Sequence, residues 1–245
     1  MNPYLNIGIP IAALGLILLL LINLKSVRLY IIRIFYGRYS FKYVSKFKKL
    51  YIMDNPFPVC IDDDLVSHFS SFGDIDSKKV FRTKTPISFT SIPFNAKFSS
   101  LKGIGKPERF NIYQFSEEYF VKIMGYPGVI LGNTIRELYF MANDIFVMGE
   151  YVFTDVSKAN SKKLIEMLVT KYNISEPIKN EMFFIRDDQD SLIYFINSGF
   201  TISIQYINLN NPFVDEILHS HSQRGNLTGV SPITPEDEKQ DLSKL

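Results

Sequence analysis

The sequence has few of the residues that bind metals or form covalent cross-links. Its 245 residues include one cysteine, Cys60, three histidines and no tryptophan. A single thiol excludes an intramolecular disulfide framework and any zinc site built from several thiolates. The histidines, at positions 68, 219 and 221, form no His-Glu-x-x-His motif. We therefore predict no metal and no other cofactor.

Catalytic motifs are missing as well. The chain has no nucleophile elbow and no P-loop lysine followed by serine or threonine. Asp64 and His68 lie four residues apart, as two ligands of a divalent cation on one helix would. An acidic first turn that suits the helix dipole is the favoured interpretation. Glu137, Glu150 and Glu166 lie in or beside well-formed elements, but their spacing predicts no catalytic role.

Charge is distributed unevenly along the chain. The net charge is +2, yet eight of the 27 basic residues lie between Lys25 and Lys49, where there is no acid. The remaining 19 basic and 25 acidic residues give the rest of the chain a net charge of −6. A nucleic-acid-binding domain normally has the opposite sign, so we predict no nucleic-acid partner.

The N-terminal segment is the longest apolar run. Residues 5–24 contain no charge, and as a helix they would span about 30 Å, the thickness of a bilayer core. No basic residue precedes the run and no small-residue cleavage site follows it, so a cleaved signal peptide is disfavoured. The basic residues behind the run predict a single-pass membrane protein, with its N-terminus outside and its C-terminal domain cytoplasmic.

The segment behind this run predicts a basic amphipathic helix. Arg38, Lys42, Lys46 and Lys49 recur every three or four positions and share one helical face. One interpretation is contact with the anionic headgroups of a lipid bilayer. The other is a topology signal whose apolar face packs on the following domain. The two interpretations are compatible.

The rest of the sequence predicts an α+β domain with an antiparallel β-meander and helices packed on one face. Alternating apolar residues predict strands at 110–115, 119–124, 134–141, 145–153, 182–186, 192–196 and 200–207. The residues Gly125-Tyr126-Pro127-Gly128 predict a turn between the second and third of these strands. Helical periodicity predicts helices at 63–72, 94–104, 157–172 and 212–219. Because sequential strands joined by tight turns cannot be parallel, we expect an antiparallel sheet.

The predicted organisation has five parts. Residues 1–24 form the N-terminus and transmembrane helix, and residues 25–52 the basic juxtamembrane helix. Residues 53–91 form a proline-containing linker with a short helix, residues 92–222 the α+β globular domain, and residues 223–245 a disordered tail.

One part of the chain resembles a known family. A short helical stretch, the turn Gly105-Lys106-Pro107 and a meander with Tyr139-Phe140 and Asn143-Asp144 resemble the β-lactamase-inhibitor-protein-like fold of small bacterial envelope-assembly lipoproteins. The resemblance covers about residues 92–155 and implies a non-enzymatic binding module. Members of that family are lipidated periplasmic proteins. No cysteine follows the hydrophobic segment here, so anchoring and location do not transfer.

Two functional hypotheses follow. The first is a membrane-anchored, non-enzymatic module that binds or assembles a protein partner at the cytoplasmic face of a membrane. The second is an enzyme or a lipid- or small-ligand-binding protein whose site is assembled from scattered residues and includes a concave pocket. Aromatic residues alternate on the predicted strands and are interpreted as core rather than pocket: Tyr113, Phe115, Tyr139, Phe140, Tyr151 and Phe153.

Overall fold

A computed structural model describes residues 24–51, 79–98, 105–154 and 158–218, with positions 14, 15, 17, 56, 57, 69, 72 and 75. Two helices come first, α1 (Lys25–Tyr36) and α2 (Phe41–Tyr51). Gly37, at φ 81°, ends α1 and donates its N–H to the Arg33 carbonyl. The Ser40 hydroxyl accepts the Tyr43 N–H at 3.2 Å and begins α2.

Eight strands form one sheet. They are β1 (Val80–Arg82), β2 (Arg109–Gln114), β3 (Phe120–Ile130), β4 (Asn133–Ala142), β5 (Ile145–Phe153), β6 (Met182–Arg186), β7 (Ser191–Asn197) and β8 (Ile202–Asn208). Their order is β1-β6-β7-β8-β5-β4-β3-β2. Helix α3 (Lys158–Lys171) connects β5 to β6, and residues 212–218 form a last helix, α4.

Both faces of the sheet are covered, because alternate residues of each strand are apolar on both sides. The front face carries Tyr139, Phe153 and Ile204, and it packs against α3, α2 and residues 87–94. The back face carries Phe140, Leu192 and Ile207, and it packs against α4 and positions 69 and 72.

The predicted fold class is wrong in its topology. The sheet is mixed, because β1 and β6 are parallel, and it is covered on both faces rather than one. The rule that excluded parallel pairs applies to strands joined by tight turns, whereas β1 and β6 lie about 100 residues apart. A strand of three residues inside the predicted linker gives no periodic signal of its own.

Two local predictions also fail. Residues 125–128 were expected to form a turn, but β3 continues through Tyr126 and Pro127 to Ile130. Of the helix predicted at 94–104, residues 94–97 are not helical, and Lys97 forms an isolated bridge with Ile145; residues 99–104 lie outside the described residues. The predicted helix at 63–72, apart from positions 69 and 72, and the predicted tail at 223–245 lie outside the described residues.

The predicted membrane anchor is contradicted. In the described part of the chain, no helix has both the length and the apolar character that a membrane crossing needs. Helix α1 has 12 residues and α2 has 11, and both contain basic side chains, whereas about 20 apolar residues are needed. Of residues 5–24, only 14, 15, 17 and 24 are described. The single-pass topology, and the cytoplasmic location of the C-terminal domain derived from it, are contradicted by the same finding.

Candidate functional site

A cavity of about 650 Å³ lies between α3 and the front face. Leu164 and Leu168, one helical turn apart, are the buried contacts of α3 with the sheet. Ile130 and Leu131, at the turn of the β3–β4 hairpin, form another wall of the cavity. The whole lining is mostly apolar: Ile130, Leu131, Tyr151, Phe153, Lys163, Leu164, Glu166, Met167, Leu168, Thr170, Lys171, Ile204 and Tyr206.

The mouth of this cavity exposes large apolar side chains. Leu131 is 49% exposed and Met167 is 43% exposed. Two charged side chains of α3, Lys163 and Lys171, also line the cavity. An opening with an apolar edge and charged flanks is typical of a site that admits an apolar molecule from water.

Two tyrosines line the cavity, and a third lies at the end of α3. Tyr151 on β5 and Tyr206 on β8 line the cavity, and Tyr172 follows α3 directly. Burial first, and then the charge of Asp187, raises the pKa of Tyr172 to about 12. Burial also raises the pKa of Tyr206 well above its usual value, with further contributions from Tyr172 and Tyr151. These hydroxyls therefore stay neutral and serve as hydrogen-bonding groups, not as bases.

Glu137 is a carboxylate on the front face. Strand register places it between Tyr126 of β3 and Tyr151 of β5. The Tyr139 hydroxyl donates a hydrogen bond to Glu137 Oε2 at 3.1 Å. Gly128 leaves room for the other oxygen, because a Cβ at position 128 would lie 2.7 Å from Glu137 Oε1. The carboxylate is half-buried and stands beside a wall of the cavity.

The loop of residues 87–94 packs on the tyrosines of the front face through Phe89, whose ring contacts Tyr139, Tyr151 and Tyr206. The Phe89 ring lies directly on Gly149 and contacts the rings of Tyr151 and Tyr206, with centroids 4.6 and 5.4 Å away. Thr90 has a φ of 48°, an unusual value for a β-branched residue, and its hydroxyl lies 3.2 Å from that of Tyr139. The loop therefore helps to fix where the tyrosine hydroxyls lie.

Two other charged side chains, Asp187 and Lys122, are buried and bind neighbouring parts of the fold. Asp187 accepts the backbone N–H groups of Ile87, Gln189 and Ser191 at 2.8–2.9 Å, and so ties the loop to the β6–β7 turn. Lys122, 2% exposed, pairs with Asp144 and lies 4.1 Å from the centre of the Phe98 ring. Burial lowers the pKa of Lys122, against the opposing effect of Asp144.

Of the four residues predicted to contact a membrane surface, Arg38 precedes α2 and the other three lie on it. Arg38 stacks on Phe57 at 4.8 Å and Lys42 stacks on Tyr36 at 4.3 Å. Lys46 is half-buried, and Lys49 is exposed. The apolar side of α2 packs on the sheet: Val44 is buried, and Phe41 stacks on Phe120. Contact of the four cations with anionic headgroups stays a prediction.

The sequence-based interpretation of the aromatic residues is partly right. Tyr139 and Phe153 are buried in the front core, as expected, and Phe140 is buried in the back core. Tyr151, however, also lines the cavity. Tyr172 and Tyr206 were missed as site residues, because one ends a helix and the other lies on a strand more than 30 residues later. Alternation assigned Tyr139 and Tyr151 to predicted strands, but no local pattern joins them to each other or to α3.

The residues considered for metal binding stay apart or undescribed. Asp64, His68, His219 and His221 lie outside the described residues. Within the described ranges, no three His, Cys, Asp or Glu side chains are grouped so that they could hold a metal ion. Glu137 and Glu150 lie on opposite faces of the sheet. Glu137 is paired with Tyr151, which directly follows Glu150 on β5, and successive residues of a strand point to opposite faces.

Comparisons with protein-family models, with curated proteins and with solved structures find no match to this chain. The resemblance of residues 92–155 to the β-lactamase-inhibitor-protein-like fold therefore stays a prediction.

Proposed function

We propose that this protein is a non-enzymatic binding protein whose ligand is a small, mainly apolar molecule held between α3 and the front face. The observation that carries the proposal is the cavity. Its volume of about 650 Å³ lies within the usual range for ligand sites, roughly 300–1,000 Å³. A helix that packed flush against the sheet would leave no such space.

The chemistry of the lining supports an apolar ligand. Leu164, Leu168, Phe153 and Ile204 provide aliphatic and aromatic surface, and each buried methylene of a ligand contributes about 0.8 kcal/mol. The neutral hydroxyls of Tyr151 and Tyr206 provide a few directed hydrogen bonds. This lining favours the small-ligand hypothesis. A protein partner stays a prediction, since no described contact identifies one.

The proposal predicts that the whole 245-residue chain binds linear alcohols saturably in isothermal titration calorimetry. We expect affinity to rise about fourfold for each added methylene until the cavity is full, because each buries about 0.8 kcal/mol of apolar surface. Thr170 lines the mouth and is exposed, so Thr170→Phe should block entry with little effect on folding. We expect it to weaken 1-octanol binding at least about tenfold.

The matched control is Lys162→Phe. Lys162 is exposed on the same helix but lines a separate groove on the other side of α3. This variant should bind 1-octanol within about twofold of the wild type, because its ring cannot reach the cavity. Equal effects of the two variants, or no saturable binding of any alcohol by the wild type, would refute the proposed function.

A further inference from the structure

The charged side chains that line the cavity leave an excess of positive charge at its mouth. They are Lys163, Lys171 and Glu166, all exposed on α3. Glu166 lies 4.0 Å from Lys162, so a cation outside the lining offsets its charge. Among the described residues, neither Lys163 nor Lys171 has a carboxylate within 4.0 Å. A ligand that enters the cavity therefore passes two cations that the described part of the chain does not neutralise.

The two lysines lie on either side of the exposed apolar part of the mouth. Lys163, Met167 and Lys171 follow one another at intervals of four residues, so they form one row along α3. Each lysine is about 6 Å from Met167 along the helix axis, because a helix rises about 1.5 Å per residue. Met167 is 43% exposed, and a lysine ammonium moves on a flexible four-carbon stem. Both ammonium groups can therefore reach a ligand atom that lies over Met167.

The sheet side of the cavity disfavours a negative charge. Burial first, and then the charge of Glu137, raises the pKa of Tyr151, which lines the cavity on β5. The Glu137 carboxylate therefore lies close enough to Tyr151 to repel a second anion beside that hydroxyl. Leu164 and Leu168 provide apolar surface, against which an ionised group would lose its hydration. A ligand with one negative group thus keeps that group at the mouth and its apolar part inside.

We propose that the ligand of this cavity is an alkyl carboxylate, whose head group binds to Lys163 and Lys171 at the mouth while its chain lies inside. This inference rests on the proposed function, because the cavity holds the apolar chain. Each ammonium group provides three N–H donors, and hydrogen bonds between ionised partners are stronger than neutral ones. The ligand class narrows from an apolar molecule to an amphiphile with a carboxylate.

Three eight-carbon ligands test this assignment: octanoate, 1-octanol and octylammonium, each titrated calorimetrically into the whole chain. We expect octanoate to bind about tenfold more tightly than octylammonium, because the two lysines attract one head group and repel the other. Raising the salt concentration from about 0.01 M to about 1 M shortens the Debye length from about 30 Å to about 3 Å. The preference should then shrink to less than about twofold, since the head groups lie at an exposed mouth.

A pair of double variants tests whether the two lysines cause the preference. Lys163→Gln/Lys171→Gln keeps two long polar side chains and removes both charges. It should reduce the preference for octanoate to less than about twofold and leave 1-octanol binding within about twofold of the wild type. The matched control is Lys49→Gln/Lys106→Gln, which removes the same charge at two exposed positions outside the cavity lining. This control should keep the preference at about tenfold.

The outcomes separate this inference from the proposed function. Saturable binding of 1-octanol together with equal binding of octanoate and octylammonium, or with tighter binding of octylammonium, would overturn the carboxylate assignment and leave the apolar site standing. A preference for octanoate that survives Lys163→Gln/Lys171→Gln, or that Lys49→Gln/Lys106→Gln reduces equally, would also overturn it. No binding of any of the three ligands would remove the proposed function and this inference together.

Discussion

Replacing Gly149 with alanine is expected to lower the free energy of unfolding by about 3–5 kcal/mol, although alanine is normally the better strand residue. A Cβ at position 149 would lie 2.2–2.6 Å from atoms of the Phe89 ring, which no rotamer change of alanine can relieve. Phe89 is fully buried among Tyr139, Tyr151 and Tyr206. The ring must therefore leave its site, and its burial is lost. Urea denaturation followed by circular dichroism measures the change.

A double-mutant cycle identifies the cause. Phe89→Ala alone should cost about 3–5 kcal/mol, whereas Gly149→Ala in that background should cost less than about 1 kcal/mol, because the clash is gone. Gly199→Ala is a control with open space around it but a φ of 87°, and it should cost about 1 kcal/mol. Equal costs of Gly149→Ala in both backgrounds would show that Phe89 does not lie on Gly149.

Alkaline pH is expected to unfold the protein steeply, because four tyrosines on the front face lose protons far more easily in the unfolded chain. Burial raises the pKa of Tyr139, Tyr151, Tyr172 and Tyr206 above the usual 10.0, in the case of Tyr172 to about 12. A raised folded-state pKa gives stability that is complete below about pH 10 and is lost as pH rises through the folded pKa. Each tyrosine then removes about 1.4 kcal/mol per pH unit.

The opposite shift of Lys122 does not offset this loss. Its folded pKa is lowered below 10.5, so its contribution to stability rises with pH only up to that value. We therefore expect the urea midpoint to change little below about pH 9 and to fall steeply above about pH 10. Tyr172→Phe removes one of the four groups and should make the fall about one quarter shallower. An unchanged slope in this variant, or a stable protein at about pH 12, would contradict the assignment.

Sequence patterns predicted the strands better than their arrangement. The alternation at 145–153 and 182–186 matches β5 and β6, and the periodicity of Leu164 and Leu168 matches the buried side of α3. These are local signals, since a half-buried strand or helix repeats within a few residues. The parallel pairing of β1 with β6 depends on contacts between distant parts of the chain, which no local repeat encodes.

The site illustrates the same limit. Glu137 and Tyr151 looked like unrelated residues in sequence, and only the register of β4 with β5 makes them neighbours. Pro127 and Gly128 predicted a turn, whereas they lie within β3, opposite Arg136 and Ile135. That glycine has a different use, because it leaves space for the Glu137 carboxylate. The prediction gave more weight to the turn-forming residues than to strand continuity, whereas β3 pairs with β4 without a break from Val121 to Ile130.

The most direct test of the apolar binding site is a set of intermolecular nuclear Overhauser effects between 1-octanol and the methyl-labelled protein. The structure predicts contacts from the octyl protons to the methyl groups of Leu164, Leu168 and Ile204, which line the cavity. Leu192, Ile207 and Ile217 are buried on the back face and serve as the internal control, with no contacts expected. Contacts to the back-face methyl groups, or none to the front-face methyl groups at saturating 1-octanol, would contradict the proposed site.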